Sequence, residues 1–129
     1  MIHYPSLAVF GNYRWLLSAI KVKDTERTRT KEQIRDGLIS REALDDDWNL
    51  HLNRDIDRLK ERLHAIEAAI ESMPETPELL PCKLFMRLYY LYGLSLSDAA
   101  MRMCVSYSTA RRLQKRCAAY FENHPTGDL

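Results

Sequence analysis

The sequence predicts an all-α protein: N-terminal helices and a long amphipathic helix, followed by a C-terminal pair of short helices joined by a tight turn. Three observations predict it. Apolar residues make up 46% of the 129 residues, enough for a core. Only four glycines and five prolines punctuate the chain. Apolar residues recur at helical spacing over long stretches, and nowhere does apolar–polar alternation persist long enough for a sheet.

Residues 6–22 predict a first helix, with Leu7, Phe10, Tyr13, Trp15, Leu16 and Ile20 as its apolar residues and Gly11 weakening its early part. The polar run 22–30, VKDTERTRT, reads as a loop. Thr30 is placed to cap a short helix that ends near Gly37, and Ser40 marks another start.

From Asp45 to Met73 the signal is stronger. Leu52, Ile56, Leu59, Leu63, Ile66, Ile70 and Met73 alternate spacings of four and three, which draws a narrow apolar seam along a charged helix. Such a seam packs on its own chain or pairs two copies of it. In the second case Leu52, Ile56, Leu59, Leu63, Ile66 and Ile70 are the homodimer contacts. The acidic run Asp45–Asp47 suits a helix N-terminus, and Pro74 and Pro77 end the helix.

After the prolines, Leu84, Phe85, Leu88, Leu91 and Tyr92 mark a helix that stops at Gly93. Ser95 or Ser97 caps a helix of about two turns, and Ser106 caps a last one running to about Phe121. Pro125 and Gly127 fall in a tail. The domain reading is therefore a helical region over 1–78 with a possible dimerisation helix at about 45–73, a module over 79–122, and a tail over 123–129.

Charge divides along the same boundary. The net charge is +1. Yet Leu79–Phe121 holds seven cations (Lys83, Arg87, Arg102, Arg111, Arg112, Lys115, Arg116) against Asp98 alone. A basic stretch on a near-neutral chain points to a polyanion. The three cysteines, Cys82, Cys104 and Cys117, form no CxxC pair and each sits among apolar residues. They read as buried thiols in a reducing compartment. No stretch approaches the roughly 18–20 apolar residues of a membrane span, and the N-terminus lacks a basic leader, so a cytoplasmic location is expected.

The stretch GLSLSDAAMRMCVSYSTARRLQKRC, residues 93–117, breaks a helix at Cys104–Val105–Ser106 and restarts it at once. These are the requirements of a helix-turn-helix. Ala99, Ala100 and Ala110 are small enough for the crossing, and Met103, Val105 and Leu113 plug the angle between the helices. Ser106 accepts from the free N–H of Ser108 or Thr109. At ~100° per residue, Thr109, Ala110, Leu113, Cys117 and Tyr120 share one face of the last helix, and Tyr107, Ser108, Arg111, Arg112 and Lys115 the other, with Arg116 just beyond. Polar residues at a helix N-terminus followed by cations suit a helix entering a DNA major groove.

LLPCKLFMRLYYLYGLSLSDAAMRMCVSYSTARRLQKRCAAYF resembles the fourth region of bacterial sigma factors. The larger layout resembles phage late-gene transcription regulators of the ArpU/RinA type. The resemblance implies a non-enzymatic regulator that binds double-stranded promoter or phage-control DNA, with RNA polymerase as a further partner. It puts Tyr107, Ser108, Arg111, Arg112 and Lys115 on the DNA face, and Ser97 and Arg102 near phosphates. The family turn usually carries glycine where Cys104 stands, and the region that would bind a −10 element is absent.

His3, His51, His64 and His124 make no metal pattern, and neither a phosphate loop nor a nucleophile elbow is present, so neither cofactor nor enzymatic activity is expected. Tyr89, Tyr90, Tyr92 and Tyr107 invite a single-strand stacking platform, but core and rim packing explains the first three more simply. Two other functions fit the composition: a DNA-packaging adaptor similar to a small terminase subunit, and a module that binds RNA polymerase or another protein instead of DNA.

Overall fold

The computed structural model describes residues 4–37 and 46–126, without the side chains of 46–49. Ser40, Asp45 and Gly127, singled out above, lie outside the described residues. All elements among the described residues are helical, as the sequence predicts: a 3₁₀ segment Pro5–Asn12, α1 Tyr13–Arg35, α2 Asp46–Glu71, α3 Leu80–Met86, a π-helical turn Arg87–Leu91, α4 Leu96–Met103 and α5 Tyr107–Asn123. The chain forms two compact units, Trp15–Leu63 on the one hand and Met1–Arg14 with His64–Leu129 on the other. Residues 4–14 thus belong with the C-terminal unit, and the division differs from the 78/79 boundary drawn from the sequence.

In the Trp15–Leu63 unit, α1 and α2 run antiparallel. Lys23 Nζ meets Asp55 Oδ2 at 3.3 Å, and Arg27 Nη1 donates to Asn53 Oδ1 at 3.0 Å. As the number rises on one helix, it falls on the other. The loop expected over 22–30 is α-helix, and Thr30 is an interior residue of α1 instead of a cap. Ile20, Lys23, Arg27, Thr30 and Ile34 keep a helical spacing and are all half-buried or buried. Thr25 Oγ1 donates to the Lys21 carbonyl one turn back. Partners on α2 satisfy the polar run and override its weak propensity. The helix ends at Arg35, with Gly37 at φ 74°.

The apolar seam of α2 is covered within its own chain. Leu52, Ile56, Leu63, Ile66, Ile70 and Met73 are all buried, and Leu59 is half-buried. Of the two packings open to it, the intramolecular one is realised. Leu52, Ile56, Leu63, Ile66 and Ile70 thus have little apolar area left exposed, and Leu59 keeps part of its own.

The other unit is built on α5. The 3₁₀ segment lies against it: Leu7 and Phe10 are buried, and Phe10 packs its ring on Phe121 at 4.7 Å and on Tyr90 at 5.9 Å. Ser6 Oγ donates to the Ala118 carbonyl at 2.8 Å. α3 packs on α5, and its Cys82, Phe85 and Met86 are all fully buried. Cys117 Sγ lies 3.5 Å from the Cys82 carbonyl, and the neighbouring Cys82 thiol and burial push the Cys117 thiol up. These two cysteines are the buried thiols expected; Cys104 is exposed, which corrects the third.

The sequence expects one helix from 84 to 92; instead α3 widens after Met86. Tyr92 N–H donates to the Arg87 carbonyl, five residues back, and Leu94 N–H to the Leu88 carbonyl, six back. Gly93 at φ 72° closes the turn.

Candidate nucleic-acid interface

α4 starts at Ser95, whose Oγ accepts from Asp98 N–H at 3.1 Å; of the two serines proposed as caps, this is the one used. Ser97 is left exposed. Ala99 and Ala100 are buried and α4 packs on α5, so the small residues stand where the two helices approach.

The turn is a Schellman motif. Val105 N–H donates to the Ala100 carbonyl at 3.0 Å, and Cys104 N–H to the Met101 carbonyl at 3.1 Å. Its left-handed residue is Cys104, at φ 58° and ψ 40°. No other non-glycine residue among those described has positive φ. Ser106 then takes extended backbone and accepts from Thr109 N–H at 3.1 Å, with its own hydroxyl 2.9 Å from Thr109 Oγ1. Three residues, the left-handed Cys104, Val105 and the capping Ser106, therefore separate α4 from α5.

α5 sorts its side chains sharply. Ala110, Leu113, Cys117, Ala118 and Phe121 are buried, while Thr109 and Tyr120, expected on that face, are half-buried. Tyr107, Ser108, Arg111, Arg112, Lys115 and Arg116 are exposed, as is Arg102 on α4. No ion pair among the described residues involves any of these five cations.

Lys83 and Arg87 differ from them. Lys83 is only 4% exposed; its Nζ donates to the Glu71 carbonyl at 3.0 Å and to Glu75 Oε1 at 3.2 Å. Arg87 holds Glu71 in a two-pronged pair at 2.8 and 2.7 Å, which keeps the Glu71 carboxyl below the usual glutamate range. Both cations counted in the basic stretch are therefore spent on acids from the end of α2 and the segment after it. Sequence position alone gave no sign of this, because the partners lie 8 to 16 residues away.

Tyr89 and Tyr90 are half-buried and meet edge-to-face at 4.8 Å, and burial pushes the Tyr90 phenol up to about 12. Tyr92 is exposed. Arg14 was not singled out from the sequence. Its Nη1 reaches the Leu91 carbonyl at 3.4 Å, and its side chain lies across Gly93, where an added Cβ would stand 3.0 Å from Nε. A basic residue beside a helix-ending glycine is the feature that could have found it, but the two are 79 positions apart in sequence.

No helix among the described residues is long and apolar enough to cross a membrane. No protein-family model, curated protein or solved structure matches this chain.

Proposed function

We propose that the chain is a sequence-specific double-stranded DNA-binding transcription regulator in which α4, the Cys104 turn and α5 act as a helix-turn-helix. Phage late-gene control is the setting that the resemblance to the ArpU/RinA type suggests. The observation that carries the reading is the outer face of α5. Two small polar or aromatic groups at its first turn are followed by four cations, all exposed and none engaged by an acid among the described residues. In a major groove, Tyr107, Ser108 and Arg111 would reach base edges, while Arg112, Lys115 and Arg116 would meet phosphates. Ser97 and Arg102 on α4 would meet the flanking backbone. The left-handed conformation of Cys104, at the position where the sigma-like pattern carries glycine, supports the same reading.

The test is fluorescence anisotropy on duplexes selected from random sequence. Arg111→Ala and Arg112→Ala should each weaken binding with no loss of fold, since both side chains are exposed. A base contact is worth about 1–3 kcal/mol and its loss relaxes specificity at one position; loss of a phosphate contact flattens the salt dependence. Wild-type affinity in both variants would rule out α5 as the reading helix.

A further inference from the structure

We propose that Arg14, far from α5 in sequence, is a DNA-contacting residue, and that the groove beside it receives a backbone phosphate of the duplex. The inference rests on the DNA-binding reading above and extends its surface.

A groove of about 700 Å³ opens in the C-terminal unit, lined among others by Tyr4, Arg14, Gly93, Ser95 and Gln114. Gln114 ties it to the candidate interface. It follows Arg111 by three residues and Tyr107 by seven, so on a helix it borders both on the same side of α5. The groove therefore borders the exposed face of α5 at Gln114, and Arg14 is part of its lining.

Arg14 is equipped for an anion. A guanidinium has five N–H donors in a planar fork suited to phosphate oxygens. One is directed at the Leu91 carbonyl, at a long 3.4 Å, and no acid among the described residues pairs with the group. Gly93 lets the side chain lie flat over the turn; any Cβ there would press on Nε and Cδ at 3.0 and 3.2 Å. The cation thus lies beside the Gly93 turn while most of its donors stay free. A residue that only capped the Leu91 carbonyl would contribute to stability and leave DNA binding alone.

The experiment measures affinity for a selected duplex and a random duplex across a salt series. Each phosphate contact adds about 0.9 to the slope of log K against log salt. Arg14→Gln should lower that slope by about 0.9 and weaken both duplexes by the same factor, with discrimination between them unchanged. Arg14→Lys, which keeps the charge, should keep the slope. Circular dichroism confirms that each variant retains its helix content. An unchanged slope in Arg14→Gln, with wild type binding normally, overturns the proposal alone. A wild type that binds neither duplex overturns the DNA-binding reading and this proposal with it. Replacing chloride by phosphate at equal ionic strength separates the occupants: extra inhibition of duplex binding that disappears in Arg14→Gln is expected if the duplex uses the groove, whereas phosphate binding that Arg14→Gln abolishes without any effect on duplex affinity identifies free inorganic phosphate as the ligand and overturns the proposal too.

Discussion

Phe10→Ala tests whether the N-terminal segment is part of the C-terminal unit. Phe10 is wholly buried and its ring rests on Phe121 of α5 and on Tyr90 of the π-helical turn. Removing a buried aromatic ring forfeits its transfer free energy and leaves a cavity, together about 3–5 kcal/mol. Two tilted aromatic contacts are lost as well, each worth about 0.5–1.5 kcal/mol beyond area, part of which that range already contains. A domain of this size has about 5–15 kcal/mol in all. Urea unfolding followed by circular dichroism should therefore show a midpoint lowered by about a fifth or more, with a partly unfolded population before denaturant is added if the wild type sits at the low end. Phe10→Leu keeps most of the volume and should lose much less. A loss below about 1 kcal/mol in Phe10→Ala would refute the reasoning, because the segment would then be an appendage that peels from α5 at little cost.

Cys104→Gly relieves a left-handed side chain, a gain of roughly 1 kcal/mol, against the greater freedom glycine gives the unfolded chain, roughly 0.5–1 kcal/mol. The variant should melt within a few degrees of wild type or above it and still bind DNA; a clear drop in melting temperature would contradict an exposed turn residue. Glu71 has its folded-state pKa lowered, first by the Arg87 hydrogen bond, so its stabilising effect is present above the ordinary glutamate range and is lost as pH falls through the lowered value. Wild type should therefore lose more stability than Glu71→Gln on acidification, and parallel pH profiles in thermal melts would count against the pair.

What the sequence makes legible is whatever a single helix face decides. The α2 seam, the start of α5 at Ser106 and the burial of Ala99, Ala100, Ala110 and Leu113 follow from spacing and capping chemistry alone. The run 22–30 was illegible because its helix rests on partners in α2, where Asp55 and Asn53 take up Lys23 and Arg27. The alliance of residues 5–14 with α5 was illegible for the same reason: Phe10 and Phe121 are 111 positions apart, and no local pattern announces that they meet. The π-helical widening at Arg87–Leu91 leaves the apolar spacing of 84–92 readable but shifts which residues share a face.

Charge shows most sharply how position along the chain and position in space differ, and it sets a limit that can be measured. Counted along the sequence, 79–121 holds seven cations. In space two of them, Lys83 and Arg87, are tied to Glu71 and Glu75, and pulling the nearly buried Lys83 ammonium away from its partners would strand a charge in low dielectric. On the DNA-binding proposal, the cations left to meet a duplex are Arg102, Arg111, Arg112, Lys115 and Arg116, with Arg14 as a sixth. At about 0.9 per phosphate contact, a single chain on a duplex should give a salt slope no steeper than about −5. Lys83→Met should leave that slope where it is, because the ammonium meets no phosphate. A steeper wild-type slope that Lys83→Met or Arg87→Ala reduces would mean that the acidic pairs open on binding, and the interface would have to be extended across α3.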